Sequence, residues 1–220
     1  MRHELLRFAN ADEVAVAAAA YVAERAQAAI SSTGRFTIAV SGGRTPGAMF
    51  HALSAYDLAW AEVALFQVDE RVAPPGDAAR NLTDLTRAFG GVPLSLHPMP
   101  VDDADLEVGA RDYEGLLPDH LDLVHLGLGP DGHTASLIPG DPVLDEEDHL
   151  VALTGPYQGH RRMTLTYPAL TRASQLLWLV TGADKRAALS RLLAGDQTIP
   201  AGRVNAGASI VMADAAALAA

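Results

Sequence analysis

Residues 121–139 read Leu-Asp-Leu-Val-His-Leu-Gly-Leu-Gly-Pro-Asp-Gly-His-Thr-Ala-Ser-Leu-Ile-Pro. A largely apolar run, Leu121 to Leu128, breaks into Gly127, Gly129, Pro130 and Gly132, and the break carries Asp131 and His133. A short apolar run closed by glycine and proline reads as a buried strand. Thr134-Ala135-Ser136-Leu137 after it is expected to start a short helix, Thr134–Ile138. In open α/β sheets ligands bind beyond the carboxyl ends of the strands. Glycine lets the backbone turn tightly and approach a ligand, and histidine is the side chain whose unperturbed pKa suits proton transfer near neutrality. The turn Asp131-Gly132-His133 is therefore a candidate active-site edge. Taken alone it leaves three roles open for His133: a base, a metal ligand or a hydrogen-bonded structural residue.

Outward from this stretch, apolar runs alternate with helical segments. Strands are expected at Phe36–Val40, Val63–Val68, Leu121–Leu126, Leu150–Leu153, Arg162–Thr166, Leu176–Thr181 and Ala208–Met212. Helices are expected at Ala11–Ile30, Pro46–Ala55, Arg80–Phe89, Asp103–Leu117, Pro168–Arg172 and Asp184–Ala194. Such alternation implies crossover units and an α/β, doubly wound, mostly parallel sheet with helices on both faces. Thr45-Pro46 fits a cap followed by proline in the first helical turn. No repeat or long linker divides the chain, so residues 1–220 are expected to form one α/β domain.

The 220 residues suffice to bury about 70% of the unfolded chain's surface without staples. The chain has no cysteine, which excludes disulfides, thiolate metal sites and a cysteine nucleophile and suits the cytoplasm. Lys plus Arg is 16 and Asp plus Glu is 27, a net charge of −11. That balance argues against nucleic acid or an anionic membrane as the main partner. No apolar run reaches the ~20 residues of a membrane span. The alanine-rich stretch Val14–Ala23 lies between Asp12-Glu13 and Glu24-Arg25, a helix rather than a signal-peptide core.

Four further clusters fall at expected strand ends. Ser41-Gly42-Gly43-Arg44-Thr45-Pro46 precedes a helix, where free backbone N–H groups and the dipole favour an anion. It is neither a Walker loop nor a dinucleotide fingerprint. Asp69-Glu70-Arg71 puts two carboxylates at a strand end, with Arg80-Asn81 downstream. Arg161-Arg162 leads into Met163-Thr164-Leu165-Thr166. Lys185 falls in the first turn after Thr181-Gly182-Ala183-Asp184, where a bound anion would relieve its conflict with the helix dipole. There is no Gly-x-Ser-x-Gly elbow, and His120, His125 and His133 lack a metal-ligand spacing. The constellation suits a small phosphorylated ligand and acid–base chemistry, with no cofactor and no metal.

These blocks resemble the 6-phosphogluconolactonase family of the glucosamine-6-phosphate isomerase/6-phosphogluconolactonase superfamily. The matching residues are Ser41 to Pro46, Asp69-Glu70-Arg71 with Asn81, Leu126 to Leu137 followed by Pro139, Arg162 to Leu165, and Gly182 with Lys185. They run in family order over nearly the whole chain. The resemblance implies a Rossmann-like fold and hydrolysis of 6-phospho-D-glucono-1,5-lactone, the second step of the oxidative pentose phosphate pathway. It implies that His133 activates water, with Asp131 or Asp69 orienting the ring or the water. It points to Ser41, Gly42, Gly43, Arg44, Thr45, Arg162 and Lys185 for the phosphate, with Asp69 and Arg71 on the sugar side. The partner is then a small sugar-phosphate lactone, and a monomer is expected. Arg44 departs from the family's usual small hydroxyl residue, and Arg161 competes with Arg162 for the ligand-facing place. Deaminases of the superfamily usually continue from the histidine with Ile-Ala-Phe-Asn-Glu; Thr134-Ala135-Ser136-Leu137-Ile138 favours the lactonase. A sugar-phosphate sensor of a transcription regulator would carry a DNA-binding helix pair, and no basic segment for one precedes Phe36.

Overall fold

The computed structural model describes residues 3–219. Its strands are β1 (Glu4–Phe8), β2 (Phe36–Val40), β3 (Val63–Gln67), β4 (Asp69–Arg71), β5 (Ser95–His97), β6 (Leu123–Gly127), β7 (Val151–Leu153), β8 (Arg162–Leu165), β9 (Gln175–Val180) and β10 (Ala208–Asp214). Its helices are α1 (Ala11–Thr33), α2 (Arg44–Leu53), α3 (Asn81–Phe89), α4 (Leu106–Leu116), α5 (Tyr167–Leu170), α6 (Arg186–Leu193), α7 (Pro200–Arg203) and α8 (Ala215–Leu218). Seven strands form one sheet in the order β1-β10-β9-β6-β2-β3-β5, every pair parallel.

Both faces of this sheet are buried, which is why its central strands are almost wholly apolar. Successive side chains point to opposite faces. Phe36, Ile38 and Val40 of β2 pack with Leu65, Leu123 and Leu177 against Val14, Ala18 and Val22 of α1 and Met49 and Phe50 of α2. Ala39, Phe66, Val124, Leu126 and Trp178 face the other way, towards Tyr113 of α4 and Leu189 of α6. The buried stripe of α1 is mostly alanine, with Asn10 capping its start and Gly34, at φ 78°, ending it.

The expected strands at Leu150–Leu153 and Arg162–Thr166 exist but do not join the parallel sheet. They are β7 and β8, in a separate antiparallel sheet of order β4-β8-β7. A single residue, Val68, separates β3 from β4. Its N–H donates to the Val40 carbonyl at 2.9 Å, and its carbonyl accepts from Leu165 at 2.8 Å. Strands β1, β4 and β5 were not expected: each carries charged or polar residues at a sheet edge. The helix expected at Thr134–Ile138 is absent. Thr134 and Leu137 instead form an isolated bridge around a turn, with Ala135 at φ 51°. The Ser136 N–H is drawn to Thr164 Oγ1 at 3.1 Å and its hydroxyl to Asp69 at 2.6 Å, and those distant partners override the local helical tendency. Helix α2 begins at Arg44 with Gly43 as its cap, two residues before the expected Pro46. Among the described residues no helix is long and apolar enough to cross a membrane.

Glu70, fully buried, ties the small sheet to α3. One oxygen accepts from the backbone N–H groups of Asn81 and Arg71, both at 2.8 Å. The other accepts from Leu82 N–H at 2.8 Å and Gln67 Nε2 at 2.9 Å. Arg80 Nε lies 3.7 Å from it. The carboxylate thus replaces a helix cap that α3 lacks locally, since Arg80 at the cap position makes no side-chain cap bond. Breaking a buried ion pair by removing one partner costs about 3–5 kcal/mol. Glu70→Ala is expected to lose that much stability, read as a lowered urea midpoint.

Candidate active site

Strand order reverses beside β2: the chain goes from β2 to β3 on one side, and β6 pairs on the other. The crevice at such a reversal is where doubly wound sheets place ligands. Here it lies between Ser41, just past β2, and the turn after β6.

That turn is closed on itself. Gly129 N–H donates to the His133 carbonyl at 2.8 Å, and Gly132 N–H to the Gly129 carbonyl at 3.0 Å. Thr134 Oγ1 donates to the Gly127 carbonyl at 2.8 Å. A Cβ on Gly129 would lie 2.1 Å from His133 Nδ1, so only glycine lets the imidazole seat there. Gly132, at φ 87°, abuts Ile199, 2.6 Å from where a Cβ would stand.

Within the turn, His133 Nδ1 and Asp131 Oδ1 are 2.6 Å apart, and the His133 backbone N–H reaches the same oxygen at 3.1 Å. This contact fixes the neutral ring as the Nδ1–H tautomer and leaves Nε2 to accept a proton. Partial burial alone would raise the Asp131 pKa. The His133 N–H and the imidazole outweigh it, and the carboxyl sits below its ordinary value. Asp69, the other candidate for orienting the ring, is engaged elsewhere. It accepts from Ser136 Oγ at 2.6 Å and from Asn81 Nδ2 at 3.4 Å.

A cavity of about 160 Å³ brings together Ser41, Gly42, Asp69, Arg71, His133, Arg162 and Lys185. Gly43, Arg44 and Thr45 line an adjoining cavity of about 560 Å³, whose wall also includes Gly42 and Lys185. Arg162 rather than Arg161 faces the site: Arg162 is buried beside Ser136 and Arg161 is exposed. The register of the small sheet decides this, because β8 pairs Arg162 with Arg71 of β4 and Thr164 with Asp69. The Arg162 guanidinium has only long contacts, 3.5 Å to Ser136 Oγ and to the Tyr157 carbonyl. Its burial, then the Arg71 charge, push its pKa down. Arg71 is held by the Ala79 carbonyl at 2.9 Å and Asn81 Oδ1 at 2.6 Å. Lys185 pairs with Asp184 at 3.2 Å. Thr45 Oγ1 meets Thr181 Oγ1 at 2.8 Å. Among the described residues no three His, Asp or Glu side chains converge as a metal-holding group.

The profile described as "Glucosamine-6-phosphate isomerases/6-phosphogluconolactonase" matches residues 9–212. The chain belongs to that family. It is 37% identical over 180 residues to a 6-phosphogluconolactonase of Nostoc sp., covering 76% of this chain and 75% of that protein. It is 37% identical over 187 residues to a 6-phosphogluconolactonase of Synechocystis sp., covering 79% and 78%. The crystal structure of 6-phosphogluconolactonase from Thermotoga maritima superposes with a TM-score of 0.88 at 23% identity, covering 97% of this chain and 100% of that one. A monomeric glucosamine-6-phosphate deaminase superposes at 0.84 with 17% identity, covering 97% and 98%, a likeness of fold.

Several residues around this cavity were given no role of their own by sequence reasoning. Asn81 joins Asp69 to Arg71 and stands 2.0 Å from where a Cβ on Gly42 would be; its signal was its place after Arg80. Ser136 and Thr164 carry Asp69 and the turn. His125, on β6, is fully buried beneath the β2 loop. Its Nδ1 accepts from Ser41 N–H at 3.2 Å, and its carbonyl accepts from Ser41 Oγ at 3.3 Å. Burial drops the His125 pKa to about 3, so the folded protein holds the ring neutral while the unfolded chain protonates it near 6.5. Stability from this group is complete above pH 6.5 and is lost as pH falls towards 3, at about 1.4 kcal/mol per pH unit. His125→Leu is therefore expected to flatten the difference in urea midpoint between pH 7 and pH 5.

Proposed function

We propose that the protein hydrolyses 6-phospho-D-glucono-1,5-lactone to 6-phospho-D-gluconate, in the cytoplasm. The observation that carries this reading is the 2.6 Å contact of Asp131 with His133 on a cavity walled by Arg71, Arg162 and Lys185. A base with one free ring nitrogen faces cations suited to a phosphorylated ligand. The 6-phosphogluconolactonases among the relatives support the choice of substrate.

The phosphate would be held by Arg162, Lys185 and the loop Ser41–Thr45. In that loop both Ser41 donors turn to His125, so the anion would rest on the uncapped start of α2 at Gly43, Arg44 and Thr45 and on the Arg44 charge. An anion beside Arg162 would also answer the under-satisfied donors of its buried guanidinium. His133 Nε2 would take a proton from water as the water oxygen attacks the lactone carbonyl. The tetrahedral intermediate would collapse with loss of the ring oxygen, which leaves carrying the proton from His133. Asp131 would hold the ring's tautomer and stabilise the imidazolium. The N–H groups of Gly129, Gly132 and His133 are already bonded within the turn, so Arg71 would face the oxyanion's charge, with Asp69 ordering the sugar side.

Purified, metal-free protein given 6-phosphogluconolactone is expected to release acid, and given glucosamine 6-phosphate to release no ammonia; the reverse would overturn the reading. His133→Ala should lower kcat by about 100- to 10,000-fold, the usual worth of a positioned base. Near-normal turnover would remove His133 from the mechanism. Arg162→Ala should chiefly raise KM, by roughly 10- to 100-fold, since charge-assisted hydrogen bonds contribute about 1.5–3 kcal/mol. An unchanged KM would move the phosphate elsewhere.

A further inference from the structure

The two oxygens of Asp131 have different partners. Oδ1 faces the His133 ring and N–H, and Oδ2 accepts from the Tyr157 hydroxyl at 3.2 Å. Tyr157 comes from outside the turn, from the hairpin between β7 and β8. Its N–H and carbonyl bond to His160 at 2.9 and 3.2 Å. Between them Gln158 and Gly159 stand at φ 49° and 86°, the paired left-handed geometry of a tight hairpin turn whose twist matches its strands. The Tyr157 ring lies edge-to-face with the His133 ring, centroids 5.5 Å apart at 70°. The Arg162 guanidinium sits 5.1 Å over its centroid.

From this geometry we infer that Tyr157 is a positioning residue, locking the Asp131 carboxylate against His133 and joining that pair to the cation Arg162. The inference rests on the hydrolytic reading above. A carboxylate anchored through one oxygen to its own turn is free to rotate. A second bond, from an element with separate footing, fixes its plane and so the direction of the His133 ring. Burial first, then the Asp131 charge, keep the Tyr157 hydroxyl protonated and donating. The other charged groups on the cavity His133 faces are Asp69, Arg71, Arg162 and Lys185.

Tyr157→Phe removes the hydroxyl and keeps the ring under Arg162; Tyr157→Leu removes both. Tyr157→Phe is expected to lower kcat about three- to tenfold with KM unchanged, the scale of one typical intramolecular hydrogen bond. The acid limb of its kcat profile should move to lower pH, because a carboxylate free to rotate holds the imidazolium less tightly. Tyr157→Leu should add a rise in KM through Arg162. Imidazole 15N spectra of the folded proteins give a readout without substrate: the Nδ1–H tautomer of His133 should lose its dominance in Tyr157→Phe. A Tyr157→Phe variant with unchanged kcat, pH profile and tautomer would overturn the inference, as would a rise in KM alone. If the wild-type protein does not hydrolyse the lactone, the function falls, and the tautomer measurement still decides the role of Tyr157.

Discussion

Strand β2 has a neighbour on each side, and the chain reaches them by opposite routes. It crosses over α2 to pair β3, and only after β4, β5 and two more helices does β6 arrive on the other flank. The parallel arrangement demands these crossovers, and parallel sheets need both faces covered. Helices must therefore peel away in opposite senses at the β2 and β6 ends. The gap that results is a product of packing before it is a site. Ser41 and the 127–134 turn meet there because they follow two strands that lie side by side in the sheet.

Steric exclusion then sharpens the gap. Gly42 yields to Asn81 and Gly129 yields to His133, each where a Cβ would lie about 2 Å from the neighbour. Asn81 in turn orders both Asp69 and Arg71, and Glu70 anchors the start of the helix that carries Asn81. The small antiparallel sheet brings in Arg162 through its register with Arg71. Acid–base groups thus come from one contiguous turn, whereas the cations are assembled from distant segments.

This division explains what could be read in the residues. Strands β2, β6, β9 and β10 are apolar runs, and burial on both faces makes such runs legible. The Asp131–His133 pair was legible because both partners and their glycines are neighbours in the chain. Strands such as Asp69-Glu70-Arg71 carry no apolar signal, since their pairing is decided by β8, about 90 residues on. Two adjacent arginines, Arg161 and Arg162, cannot by themselves reveal which faces inward, because alternation fixes the period of a strand and not its phase. The Thr134–Leu137 segment has helix-start chemistry, but Ser136 answers to Asp69 and Thr164. Which of Asp131 and Asp69 lies against the imidazole was likewise a question of distance in space, and Asp131 is the one at 2.6 Å.

Val68 makes the corner between the two sheets. It is fully buried, and both its backbone groups are bonded, one to β2 and one to the end of β8. Hinges in proteins are residues free to absorb large changes of φ and ψ, and this joint has no such freedom. The wall carrying Asp69, Arg71 and Arg162 is therefore braced to the wall carrying Ser41 and His133. Widening the cleft at this joint would break at least one of the two Val68 backbone bonds, so the side chains and the short turns at its mouth are the parts that yield at least cost.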